Sequence, residues 1–146
     1  MKNLKKKMVL FFSLFFVFGI SGVFSEEVKI KISVGNYELE GVIFDTQLAQ
    51  EVLDNFPLTV SMYGWGGREY YGSIPFVPKN TEGGQYRFND GDITYCKQNN
   101  SLAIFYAQTD RPNLTMRVIP IGRVTSDLSV FEKLKRTENI SFSVEK

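Results

Sequence analysis

Two β-type runs, Ile93–Lys97 and Leu102–Tyr106, separated by Gln98-Asn99-Asn100, constrain this chain more than any other stretch. Gly91-Asp92 ahead of the first run supplies turn geometry. Asparagine tolerates positive φ better than other non-glycine residues, so Asn99-Asn100 suits a tight reversal. In the second run Leu102, Ile104 and Tyr106 fall on one face, with Ala103 and Phe105 on the other. A strand apolar on both faces needs cover on both sides, which places it centrally in a sheet or barrel.

Other segments have the same period. Val28–Val34 alternates strictly, with Val28, Ile30, Ile32 and Val34 against Lys29, Lys31 and Ser33. Gly35-Asn36 turns the chain, and Tyr37–Phe44 returns with Tyr37, Leu39 and Ile43 expected inward and Gly41 allowing a bulge or close approach. Asp45 or Thr46 caps a short helix carrying Leu48, Val52, Leu53 and Phe56 at helical spacing, stopped by Pro57. Leu58–Met62 alternates again. Gly64-Trp-Gly-Gly67 reads as a loop, Arg68–Ile74 as extended chain, and Lys79–Asp90 as a surface loop. Ala107–Met116 is a polar connection, and Arg117–Val124 a strand in which Pro120 predicts an edge or bulge. Ser126 or Asp127 starts a second short helix through Leu128, Phe131 and Leu134, and Ile140–Val144 is a final strand. About eight strands and two short helices predict a mainly β fold, a sandwich or a closed barrel, since closure removes exposed edges.

The first 25 residues differ from the rest. Lys2, Lys5, Lys6 and Lys7 precede an uncharged stretch from Met8, and Ser21-Gly-Val-Phe-Ser25 supplies small residues before Glu26-Glu27. That order predicts a secretory signal peptide over 1–25, cut after Ser25, and a domain over 26–146. The competing reading is an uncleaved anchor, through which alone the protein would touch a membrane. The expected location is exported, periplasmic or secreted. Without the leader, 13 basic residues stand against 16 acidic ones, which gives no electrostatic case for nucleic acid. The single cysteine, Cys96, excludes an internal disulfide and reads as a small buried hydrophobe.

The order of several motifs is similar to that of a known family. Phe56-Pro-Leu-Thr-Val60 closes the helix, and Tyr71-Gly-Ser-Ile-Pro-Phe76 follows. Gly91-Asp-Ile-Thr-Tyr95, Leu102-Ala-Ile-Phe-Tyr106 and Ile121-Gly-Arg-Val124 come next. The chain resembles the bacterial cyclophilin-like domain family over roughly Val28 to Val144. This resemblance implies a closed or nearly closed cyclophilin-like barrel with helices at its ends. The prolyl isomerase site of true cyclophilins is embedded in a Phe-His-Arg segment and a Gln-Gly-Gly segment. This sequence has no histidine and neither run, so no isomerase residue carries over.

The missing histidine also removes Ser-His-Asp and Cys-His nucleophilic systems, histidine-based zinc sites and the usual neutral-pH general base. No catalytic residue, metal or cofactor is expected. Asp90 and Asp92 flank Gly91 where turns place aspartates. Three groups remain as binding candidates. Trp65, with Tyr63, Tyr70 and Tyr71, forms an aromatic cluster at a glycine loop, or else folds back over a barrel end. Arg123 either binds a carboxylate or pairs with an acid on the rim. Phe76 and Tyr106 either line a shared pocket or pack the core. The expected function is a non-catalytic module for an unknown small molecule or peptide. A divergent prolyl isomerase and an assembly component of the envelope are the alternatives.

Overall fold

Period-2 patterning resolves into one continuous wall. In the computed structural model, which describes residues 26–146, Val28–Val34 (β1) buries Ile30, Ile32 and Val34 and exposes Lys29 and Ser33. Tyr37–Ile43 (β2), Leu58–Trp65 (β3), Glu69–Ser73 (β4), Asp92–Cys96 (β5), Ser101–Phe105 (β6), Ile119–Val124 (β7) and Thr137–Val144 (β8) complete it. They close into a barrel in the order β1-β2-β7-β5-β6-β4-β3-β8, and every neighbouring pair is antiparallel. No barrel strand is left with an unpaired edge. The inner residues, among them Ile30, Met62, Tyr70, Ile93, Tyr95, Leu102, Ile104, Ile121 and Phe142, form a single core.

Each end of the barrel is plugged. At one end the helix Gln47–Leu53 (α1) buries Leu48, Ala49 and Val52, and Thr46 caps it by accepting from the Ala49 amide at 3.2 Å. The helix stops earlier than its apolar spacing predicts. Phe56 leaves it and stacks on Phe142 with ring centroids 5.8 Å apart. At the other end Leu128–Lys133 is a 3-10 helix rather than an α-helix, capped by Asp127, with Phe131 buried.

Several expectations shift for physical reasons. Tyr37 is exposed rather than inward, because it pairs with Val34 at the lip beside the Gly35-Asn36 turn. Trp65 belongs to the end of β3 rather than to a loop. β8 starts earlier than Ile140, since its whole length pairs with β3 or β1. Pro120 does sit at an irregularity, where the β5–β7 register shifts between Ile93 and Thr94. Gly41 does permit a close approach: a Cβ there would lie 2.8 Å from the Arg123 carbonyl oxygen.

β5 and β6 are buried on both faces, as the hairpin's composition predicts. Their second face is covered from outside the barrel. Cys96, Ala103 and Phe105 pack there with Phe88 and Val118 in a separate cluster, with Tyr71, Leu114 and Met116 against it. The segments read as polar surface loops therefore contribute apolar cover. A bridge between Gln85 and Val118, with amide-to-carbonyl bonds of 2.9 Å in both directions, ties the two cover segments together.

Candidate functional site

The outer face of β4 and β6 is where the cover is incomplete. The site begins with the β3–β4 turn. Gly66 and Gly67 have φ of +63° and +64°, and the Arg68 amide donates to the Trp65 carbonyl at 3.0 Å. Two successive left-handed residues make a tight hairpin turn that only glycine and a few polar residues adopt easily. The turn sets Trp65 and Arg68 side by side. The Arg68 guanidinium carbon lies 4.7 Å from the Trp65 ring centroid, a cation–π distance.

Arg68 is buried despite its charge, at 8% exposure. Its Nε donates to Oε1 of Glu69 at 2.7 Å, Nη2 donates to the same oxygen, and Nη1 donates to the Arg111 carbonyl at 2.7 Å. The rings of Phe88 and Phe105 lie at 5.6 and 5.8 Å. Burial lifts the Glu69 carboxyl above the ordinary carboxylate range, against the opposing pull of Arg68. Buried charges persist when they are paired and hydrogen-bonded, and this pair is both.

From this pair a cavity of about 230 Å³ runs along β6. Ser101, Ala103 and Phe105, alternate residues of β6, lie beneath it, with Cys96 from β5. Glu69 and Tyr71 of β4 and the Trp65–Arg68 turn line one side; Leu114, Thr115, Met116 and Val118 line the other. Asn99 closes the far end and accepts a hydrogen bond from Ser101 at 2.6 Å. The groove is thus an apolar trough with a few convergent polar groups, the usual composition of a ligand site. Two other depressions, beside Tyr86 and Arg117 and beside Phe88 and Pro112, gather none of the five candidates Trp65, Tyr71, Phe76, Tyr106 and Arg123.

The five separate clearly. Trp65, 42% exposed, and Tyr71 line the groove. Phe76 and Tyr106 do not meet. Phe76 is at the α1 end, where its carbonyl accepts from Asn100 at 2.9 Å. Tyr106 is at the opposite end of β6, its ring stacked on Phe131 at 5.5 Å and close to Tyr70 at 5.9 Å. Both pack against the barrel core. Arg123 lies on β7, outside the groove, and its Nη2 reaches Oε2 of Glu27 at 3.5 Å in an exposed rim pair. Of the neighbouring tyrosines, Tyr63 is exposed opposite Tyr71 across the β3–β4 pair. Tyr70 turns inward and donates to the Lys135 carbonyl at 2.7 Å.

The sequence reading does not single out Arg68 or Glu69, the most constrained polar pair of the groove. One signal was present: an arginine that follows Trp-Gly-Gly directly is delivered to the tryptophan by the turn those glycines make. The burial of the pair has no such local signal, because Phe88 and Arg111 come from distant loops.

A closed eight-stranded antiparallel barrel with a short helix at either end, bearing a groove on its outer face, defines the protein as a cyclophilin-like barrel. The sequence profile of the Cyclophilin-like family matches residues 32–145, and the chain belongs to that family. Among solved structures, a hypothetical protein from Archaeoglobus fulgidus, determined in solution, is similar with a TM-score of 0.68 and 17% identity. The match covers 85% of this chain and 99% of that one. At that identity the likeness concerns the fold alone. No curated protein matches the chain. Among the described residues no helix is long and apolar enough to cross a membrane. The leader read over 1–25 lies outside the described residues.

Proposed function

We propose that this protein is an exported, non-catalytic binding module that takes a small molecule or a peptide side chain in the groove along β6. The observation that carries this reading is the joint placement of an exposed Trp65, a half-buried Tyr71 and a buried Arg68 around one apolar cavity. Aromatic anchors beside a desolvated arginine are the residue types that dominate recognition sites. The chain spends structure on them: a two-glycine turn and a buried ion pair hold Trp65 and Arg68 in place.

The non-catalytic reading follows from residue types, since the sequence has no histidine to act as a general base. On the groove floor Ser101 donates to an amide oxygen of Asn99, which cannot take its proton as a base, and the buried Cys96 has no histidine to activate it. Export rests on the order of basic, apolar and small residues in 1–25. Screening small amphipathic compounds and short peptides against the purified protein, read by Trp65 fluorescence, tests the site. Saturable binding that weakens in W65A is the expected result. A screen in which no compound or peptide perturbs Trp65 removes the proposal. The same preparation is expected to leave a proline-peptide isomerisation assay at its uncatalysed rate. N-terminal sequencing of protein recovered from outside the cytoplasm is expected to begin at Glu26.

A further inference from the structure

The groove's charges say what kind of ligand it accepts. Only two of its lining side chains are charged, Arg68 and Glu69, and they are bonded to each other. A guanidinium carries five N–H groups. Three are engaged, two on Oε1 of Glu69 and one on the Arg111 carbonyl. Two donors remain, on a cation whose charge is already balanced. Within the lining the two charges therefore balance, and two Arg68 N–H groups are not engaged by the protein, while the exposed Arg111 guanidinium lies outside the lining, 5.6 Å from the Trp65 ring centroid.

An anionic head group gains little from Arg68. The carboxylate position on Arg68 is occupied by Glu69, and a second anion would be stripped of water next to the first. An uncharged acceptor, such as an amide, sulfonamide or ether oxygen, meets the free N–H groups without that repulsion. We infer that Glu69 is a specificity-determining residue: it restricts the groove to uncharged ligands that pair a hydrogen-bond acceptor with an apolar ring or side chain. Without its carboxylate, Arg68 would make the same groove an anion site. This inference rests on the groove being the binding site proposed above.

Two probes of one shape and different charge separate the cases: benzenesulfonamide, neutral at neutral pH, and benzenesulfonate, which stays anionic. Binding to the purified protein is followed by NMR through the Trp65 indole N–H and the methyl groups of Leu114 and Met116. The wild type should prefer the sulfonamide on the order of tenfold, and E69Q should reverse the order. A wild-type protein that binds the sulfonate as tightly as the sulfonamide, or more tightly, overturns the inference and leaves the groove a binding site. A folded E69Q that keeps the wild-type preference does the same. If neither probe shifts any groove resonance in the wild type, the groove reading and the inference fall together. Because the wild-type comparison needs no substitution, the result does not depend on E69Q being stable.

Discussion

Replacing Arg68 with methionine probes how far the barrel depends on the charged pair beneath Trp65. Methionine keeps a flexible stem of similar length, so most of the packing against Phe88 and Phe105 survives while the guanidinium is lost. Three hydrogen bonds go, and Glu69, whose side chain is only 12% exposed, is left as a buried carboxylate without its partner. Breaking a buried pair from one side costs about 3–5 kcal/mol. E69Q makes the mirror change, leaving a cation at 9% exposure facing a neutral amide; a lost hydrogen bond to a charged group is worth roughly 1.5–3 kcal/mol. In R68M/E69Q both charges are gone, so the double variant should be about 2 kcal/mol more stable than the sum of the single effects requires. Urea unfolding of the four proteins at neutral pH gives that coupling directly. Acid supplies a second arm. Burial raises the Glu69 pKa above its ordinary value of 4.5, and Arg68 opposes the rise through a hydrogen bond and its charge. Without Arg68 it rises further. A carboxyl whose folded pKa exceeds its unfolded one penalises the fold above the folded pKa, and the penalty fades as pH falls toward the unfolded value. The R68M deficit relative to wild type should therefore shrink on acidification toward pH 4.5. Additive single effects together with a deficit that ignores pH would refute the reasoning.

Trp65 is 42% exposed, so W65A should move the urea midpoint little, by less than about 1 kcal/mol, while weakening any groove ligand found by fluorescence or NMR. Two glycines should fail for different reasons. In G67A nothing crowds the new Cβ, and only the positive φ of 64° opposes it, at about 1 kcal/mol. In G72A a Cβ would stand 2.1 Å from the Ser61 carbonyl oxygen, so thermal unfolding should show a loss several times larger, or no folded protein. The two faces of β6 can be compared in the same way. I104A empties a fully buried core position and should cost about 2–5 kcal/mol, without touching the groove. F105A should cost a similar amount through its 4.3 Å stack on Phe88 and should also alter groove binding; an I104A that changes binding as much as F105A would argue against two independent layers.

How much of this was legible in the sequence depends on how far apart the partners lie along the chain. Strand alternation is local, and so Val28–Val34 and Leu58–Met62 are read correctly from their side chains alone. The caps at Thr46 and Asp127 are local too. Strand count leaves a sandwich or a barrel, and it is the resemblance carried by the motif order of Tyr71–Phe76, Gly91–Tyr95 and Ile121–Val124 that implies a closed or nearly closed barrel. What the sequence conceals is cover. Phe88, Leu114, Met116 and Val118 sit singly in polar stretches, and no periodicity marks them as a lid over β5 and β6. Phe76 and Tyr106 look equivalent as aromatics flanking strands, yet they end at opposite ends of the barrel because β6 runs between them. Arg123 reads as either a carboxylate binder or a rim pair, because nothing near it in sequence shows Glu27, its partner at 3.5 Å.

The same gap explains why the groove lies where it does. A hairpin apolar on both faces must be sealed twice. The barrel interior seals Leu102 and Ile104 completely, because eight strands converge on them. The outer face carrying Ser101, Ala103 and Phe105 depends on loops, and loops fill a surface less evenly than strands do. Over Phe105 the seal is made by Phe88 and by the aromatic-stacked Arg68. Beyond it, toward Asn99, the small side chains of Ala103 and Ser101 leave a trough. A larger apolar side chain at position 103 would project into that trough, on the outer layer alone. Alanine there, beside a buried ion pair that simple packing does not require, is the feature that most separates a groove kept open from a seam left imperfect.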